Sequence, residues 1–134
     1  MKTTSILAFF FLGLFKVQAQ LAVNVSPPKI VAQKAVVQLA MTNRLSEKIE
    51  SARAVCFLLD EQGRMAVESS EWVIGGTKSR PALKPKTGTA FNFVINSPRP
   101  FASTNLTVKL SFSSVRLENG QIPDVNKAVI VTTP

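Results

Sequence analysis

The 134-residue sequence contains no histidine and no tyrosine, and Cys56 is its single cysteine. Without histidine, neither a Ser-His-Asp nor a Cys-His catalytic arrangement can be assembled, and a histidine-ligated metal centre is excluded as well. A lone cysteine rules out an internal disulfide, so stability has to come from the core. Acidic residues are scarce, with 8 Asp+Glu against 16 Lys+Arg and a formal net charge of +8. The stretch after residue 20 has no internal repeat, no low-complexity tract, no long amphipathic helical pattern and no apolar run long enough to span a bilayer.

What is present begins with a leader. Lys2 supplies a positive start, Ile6 to Phe15 form a ten-residue apolar run, and Val17-Gln18-Ala19 ends in a small residue. That layout predicts a secretory signal peptide over residues 1–19, cut before Gln20. Export to the periplasm or the extracellular space follows as an expectation, with no transmembrane segment left after cleavage. Loss of Lys2 and Lys16 leaves 14 basic against 8 acidic residues, a net +6. Such an excess favours anionic partners and also serves solubility. The remaining chain divides into an N-terminal segment, 20–33, able to supply a first strand, and one domain over 34–134.

Period-two alternation dominates that domain. In Lys34–Asn43, Val37, Leu39 and Met41 share one face and Gln38 and Thr42 the other. Arg44–Glu50 is a polar connection in which Leu45 and Ile49 are spaced for one helical turn. In Ser51–Asp60, both Ala54/Cys56/Leu58 and Val55/Phe57/Leu59 are apolar, which predicts cover on both sides. Asp60 and Gly63 mark a hairpin turn, because Asp bonds its own backbone and Gly takes positive φ. Arg64–Ile74 returns as a strand whose alternation slips at Ser69-Ser70, which predicts a bulge there. Thr89–Ser97 turns Phe91, Phe93 and Ile95 inward. Asn105–Leu117 does the same with Leu106, Val108, Leu110 and Phe112. Asn119-Gly120 predicts a type I′ hairpin before a last short strand. Six to seven strands with regular turn signals predict an all-β fold, an antiparallel β-sandwich.

The run CFLLDEQGR, lying between VQLAMTN and LKPKTGTAFNF, resembles the bacterial FxLYD-type domain. Leu58, Asp60 and Gly63 match that family's alternating strand followed by Asp-x-x-Gly. Leu83-Lys84-Pro85 and Phe91-Asn92-Phe93 match its Leu-x-Pro element and Phe-x-Phe strand. Cys56 replaces the family's Phe, Leu59 its Tyr, and Lys86 stands where Gly is common. The resemblance covers about residues 35–118. It implies an immunoglobulin-like sandwich in an exported or surface protein, a non-enzymatic role, and no catalytic, cofactor or metal residues.

The chemistry-bearing residues have structural readings beside functional ones. Asp60 and Glu61 are adjacent carboxylates, but neighbouring side chains on a strand or turn point apart, so a turn explains them better than acid–base chemistry. Glu118, Asn119, Asp124 and Asn126 offer oxygens, fewer than the roughly 6–8 of a calcium site and with the wrong spacing for an EF-hand. Cys56 in an apolar strand reads as a buried, inert thiol. Trp72 reads as a core tryptophan, with an exposed binding aromatic as the alternative. Asn105-Leu106-Thr107 fits a glycosylation sequon and matters only in a eukaryotic host.

Lys78, Arg80, Lys84 and Lys86 fall within nine residues of the long connection Gly75–Gly88. In an up-and-down sandwich, loops 43–50, 75–88 and 118–124 share one end, and 60–63 and 97–104 the other. The four cations then form a candidate anion-binding loop, diluted by Glu47, Glu50, Glu118 and Asp124. No aromatic interleaves with them, so neither stacking on single strands nor sequence-specific nucleic-acid binding is expected. The expected function is a small exported, non-catalytic interaction or accessory module, a monomer or weak oligomer. The alternative is docking on an acidic envelope polymer through the basic loop, and a hydrolytic enzyme ranks last.

Overall fold

The computed structural model describes residues 20–134; the expected signal peptide, 1–19, lies outside the described residues. Two sheets face each other. One contains β1 (Leu21–Val25), β2 (Lys29–Val31), β3 (Lys34–Asn43), β6 (Gly88–Asn96) and β9 (Val129–Thr132). The other runs in the order β5 (Met65–Ile74), β4 (Ile49–Leu59), β7 (Thr107–Leu117) and β8 (Gly120–Gln121). A single helical turn, α1 (Val125–Ala128), precedes β9. Among the described residues no helix is long and apolar enough to cross a membrane.

The core follows from the alternation. Ala35, Val37, Leu39 and Met41 of β3, with Phe93 and Ile95 of β6, point between the sheets. Ala54, Cys56 and Leu58 of β4, with Val108, Leu110, Phe112 and Val115 of β7, meet them from the other side. Burial drives the Cys56 thiol up to about 11. The opposite face of β4, Val55, Phe57 and Leu59, is only half-buried, because no further layer covers that sheet among the described residues. The expected cover on both sides of β4 is therefore corrected.

The N-terminal segment supplies two strands of the sandwich. β1 and β2 lie end to end along one side of β3, and β6 occupies the other. Leu21, Val23 and Val25 enter the core. Pro27 and Pro28 have no N–H to give, and the strand breaks there. Ser26 bridges the break: its N–H donates to the Gln38 carbonyl at 2.9 Å, and its Oγ accepts the Gln38 N–H at 2.9 Å.

Three further expectations change. β9 pairs with β1 in parallel, so that sheet is mixed. After pairing briefly with β7, the chain leaves β8, crosses to the other sheet through α1, and arrives running alongside β1. The bulges of β5 fall at Ala66 and Val73, where register shifts leave these residues without partners, and not at Ser69-Ser70. Residues 45–47 form bends instead of a helical turn, and Ile49 already belongs to β4.

Candidate functional site

The loops segregate to the two ends of the sandwich. Thr42 pairs with Gly88 and Ile49 with Leu117, so the connections 44–48, 75–87 and 118–119 lie at one end. Lys34 pairs with Asn96 and Leu59 with Met65, so 60–64 and 97–106 lie at the other.

The connection from β5 to β6 is long but not loose. Gly75 and Gly76 both have positive φ, +54 and +78. A Cβ on Gly75 would sit 1.9 Å from the Glu50 carbonyl oxygen, so only glycine lets the loop pass the start of β4. Leu83 then anchors the loop in the core and forms a two-way backbone bridge with Ile49, both bonds 2.9 Å. Lys84-Pro85-Lys86-Thr87 closes a type II turn: Thr87 N–H and Oγ1–H donate to the Lys84 carbonyl, and Lys86 takes φ +62. Glycine normally fills that position; here a lysine holds it.

Asn43 ties this end together. It is fully buried, the one buried polar residue among those described. Its Nδ2 donates to the Glu47 carbonyl at 2.9 Å and to the Leu83 carbonyl at 3.0 Å. Its Oδ1 accepts the Leu45 N–H at 2.9 Å. Its backbone N–H donates to the Thr87 carbonyl, and its carbonyl accepts the Lys86 N–H. One side chain thus fixes loops 44–48 and 81–87 against each other. The sequence reading passed over Asn43, yet a signal was there: it continues the inward parity of Ala35, Val37, Leu39 and Met41. A polar residue at an inward position must find partners.

The four cations of the loop have different surroundings. Arg80 is half-buried, donates to the Trp72 carbonyl, and lies over the Phe91 ring with its guanidinium carbon 4.6 Å from the centroid. The Lys86 ammonium donates to the Arg44 carbonyl at 3.1 Å. These two serve the loop's own structure. Lys78 and Lys84 are exposed, and no carboxylate lies within ion-pair distance of any of the four among the described residues. Arg80 and Lys84 line a cleft of about 380 Å³, along with Ser79 and Thr89. Lys48 pairs instead with Glu50 at 3.2 Å, and Glu118 accepts the Lys48 N–H.

Trp72 is not a core residue. It lies half-buried on the outer face, with Arg53 5.3 Å from its ring and Gly76 beneath it; a Cβ on Gly76 would come within 2.3 Å of the indole. The adjacent carboxylates at the other end diverge. Asp60 Oδ1 accepts the backbone N–H groups of Gln62 and Arg64, each at 2.9 Å, and its Oδ2 meets Arg64 at 3.2 Å. The Arg64 backbone bond is the leading cause that lowers the Asp60 pKa. Glu61 instead accepts from Ser103 at 3.2 Å. Gly63 closes that turn at φ +79. At the β7–β8 hairpin the central residues are Glu118 and Asn119, with Gly120 at φ +131 following them. Asn119 has no positive φ, so the turn is not type I′.

No family model matches the chain, and no curated protein matches it. Among solved structures it is similar to a protein assigned as ApaA from Bordetella pertussis, with 19% identity and a TM-score of 0.53. The match covers 78% of this chain and 89% of that one, and at this identity the likeness is one of fold alone.

Proposed function

We propose that this protein is a small exported, non-catalytic interaction or accessory module with an immunoglobulin-like fold of the FxLYD kind. Strand order supports the fold reading: β1, β3 and β6 share one sheet, and β4, β7 and β8 the other. These correspond to strands A, B and E against C, F and G of that architecture. The observation that carries the functional reading is the rigid loop end. Asn43, Leu83 and Gly75 fix a long connection against its neighbours and leave side chains at its rim free for contact. Binding residues concentrate on loops that a scaffold positions, and a loop ordered in advance loses less entropy on binding. The partner is an envelope or extracellular protein.

A second reading, docking on an acidic envelope polymer, is favoured by one observation: Lys78 and Lys84 are exposed with no carboxylate within ion-pair distance among the described residues, and Arg80 and Lys84 share a cleft. Dextran sulfate and neutral dextran separate the two readings. Polymer docking predicts binding to the sulfated probe alone, falling steeply with salt. Lys78→Glu with Lys84→Glu should abolish it and leave the thermal midpoint unchanged. Binding that ignores salt and charge reversal removes the polymer reading. Cross-linking in the native envelope fraction then tests the module reading, which fails if no protein is captured specifically through the 75–87 end.

A further inference from the structure

The cleft beside the 75–87 connection lies between the start of β6 and the loop residues 79–84. Its floor is apolar and fixed: Val73 of β5 and Leu83 line it and are 2% and 5% exposed. Around that floor stand two cations, Arg80 and Lys84, and two hydroxyls, Ser79 and Thr89; no Asp or Glu lines it. Lys78 is in the same loop and also exposed, but it is not part of the lining. Arg80 is aimed rather than free. A guanidinium has five N–H donors in one rigid plane. The bond to the Trp72 carbonyl and the contact with the Phe91 ring fix that plane and use one of the five. A fork held in this way suits a carboxylate or phosphate, which it meets through two parallel bonds.

The β6 wall of the cleft offers backbone groups as well. Ser97 N–H donates to the Gln33 carbonyl, and Asn43 N–H donates to the Thr87 carbonyl. In an antiparallel ladder, bonded and non-bonded positions alternate. Thr89 therefore bonds to β3, whereas Gly88 and Ala90 turn their N–H and C=O groups to the side away from β3, where they line the cleft. A donor and an acceptor side by side match a hydroxyl, which both donates and accepts. Cations alone would serve any anion. Cations beside neutral donors and acceptors suit an anion that carries hydroxyls.

We propose that this cleft seats one anionic sugar unit. Its carboxylate or phosphate lies on Arg80 and Lys84, and its hydroxyls on Ser79, Thr89 and the backbone of Gly88 and Ala90. The proposal rests on the polymer reading of the loop and names the unit that the loop holds. A cleft of about 380 Å³ is at the small end for a ligand pocket, so it takes a single ring rather than a length of polymer. The apolar floor of Val73 and Leu83 meets the C–H face of that ring. The two exposed lysines then differ in role despite equal charge. Lys78 adds only to the long-range attraction of a polymer, which salt screens, whereas Lys84 also touches the seated unit.

Titrations with glucuronate, glucose 6-phosphate, glucose and acetate, followed by amide chemical shifts, test the proposal, with dextran sulfate binding measured on the same samples. The expected result is saturable binding of the two acidic sugars, with shifts at residues 79–84 and 88–90; the tighter of the two identifies the acidic group. Glucose and acetate each present half of the recognised chemistry and should bind at least about tenfold more weakly. Lys84→Gln should weaken glucuronate binding at least about tenfold, whereas Lys78→Gln should weaken dextran sulfate binding alone. Arg80→Lys keeps the charge and loses the fork, so it should act as Lys84→Gln does. Lys84→Gln and Thr89→Val decide the matter if that variant does not fold. Acetate that binds as tightly as glucuronate overturns the proposal. So do shifts that map elsewhere, or equal losses of glucuronate binding in the two lysine variants. Dextran sulfate binding that still falls with salt would then leave the polymer reading standing, and its absence would remove that reading separately.

Discussion

The two ends of this sandwich are held by different means. At the far end, the 60–64 turn satisfies itself: Asp60 bonds the N–H groups two and four residues along, and Gly63 closes the loop with open space around its Cα. At the near end, the bonds of Asn43 reach Glu47, Leu83, Lys86 and Thr87, and Gly75 presses on Glu50. A locally satisfied turn depends on its own few residues, so damage stays local. A cross-tied end concentrates dependence on one buried amide, so damage there spreads to two loops. The rigidity proposed for binding belongs to the second kind.

The strongest way to break this contrast is Asn43→Asp. The carboxylate would face the Glu47 and Leu83 carbonyls with no donor for either, in a fully buried site. Leaving such groups unpaired costs about 1–3 kcal/mol each, and more when a charge is buried, so chemical denaturation should show a loss of several kcal/mol. Amide exchange should open in both 44–48 and 81–87 together. An effect confined to 44–48 would mean the two loops are not coupled.

The two glycines sharpen the comparison next. Gly75→Ala forces a Cβ against the Glu50 carbonyl, whereas Gly63→Ala meets nothing and bears only the conformational penalty of positive φ. The first should destabilise by more than about 3 kcal/mol, since backbone must move, and the second by about 1 kcal/mol. Equal losses, measured side by side, would contradict the difference between the ends.

Lys86→Gly works in the opposite direction. The lysine holds a left-handed conformation at φ +62 in the type II turn, and glycine relieves it. A gain of up to about 1 kcal/mol is expected, reduced by the lost bond to the Arg44 carbonyl. Calorimetry showing a clear loss would give that bond the larger weight.

The smallest effect concerns pH. Asp60 has its pKa lowered in the folded state, first by the Arg64 backbone bond. Its contribution is therefore present above the ordinary carboxylate range, near pH 4, and is lost as pH falls through the folded value below it. Asp60→Asn should flatten the acid limb of the stability profile slightly, with a small loss at neutral pH and none below the folded value. An unaltered acid limb would show that other carboxylates carry it.

Much of the fold was legible because alternation is a local property. The inward sets on β3, β6 and β7 and the Asp60–Gly63 turn follow from residues within a strand or a four-residue loop. The basic loop was legible as composition, but the distinct surroundings of its four cations were not. Arg80 and Lys86 are committed to carbonyls contributed by β5 and by the β3–β4 loop.

By itself the sequence determined an all-β chain, its principal strands, and the absence of histidine chemistry and internal disulfides, since each depends only on which residues exist and how they alternate. Tertiary structure alone decided that β1 and β2 lie end to end against β3 and that β9 runs parallel to β1. It also decided that Asn43 joins two loops, that Trp72 faces outward, and that β6 has an open edge. The physical reason is shared: strand neighbours and buried hydrogen-bond partners are set by contacts between residues far apart in the chain, and local pattern carries no record of which distant backbone will arrive.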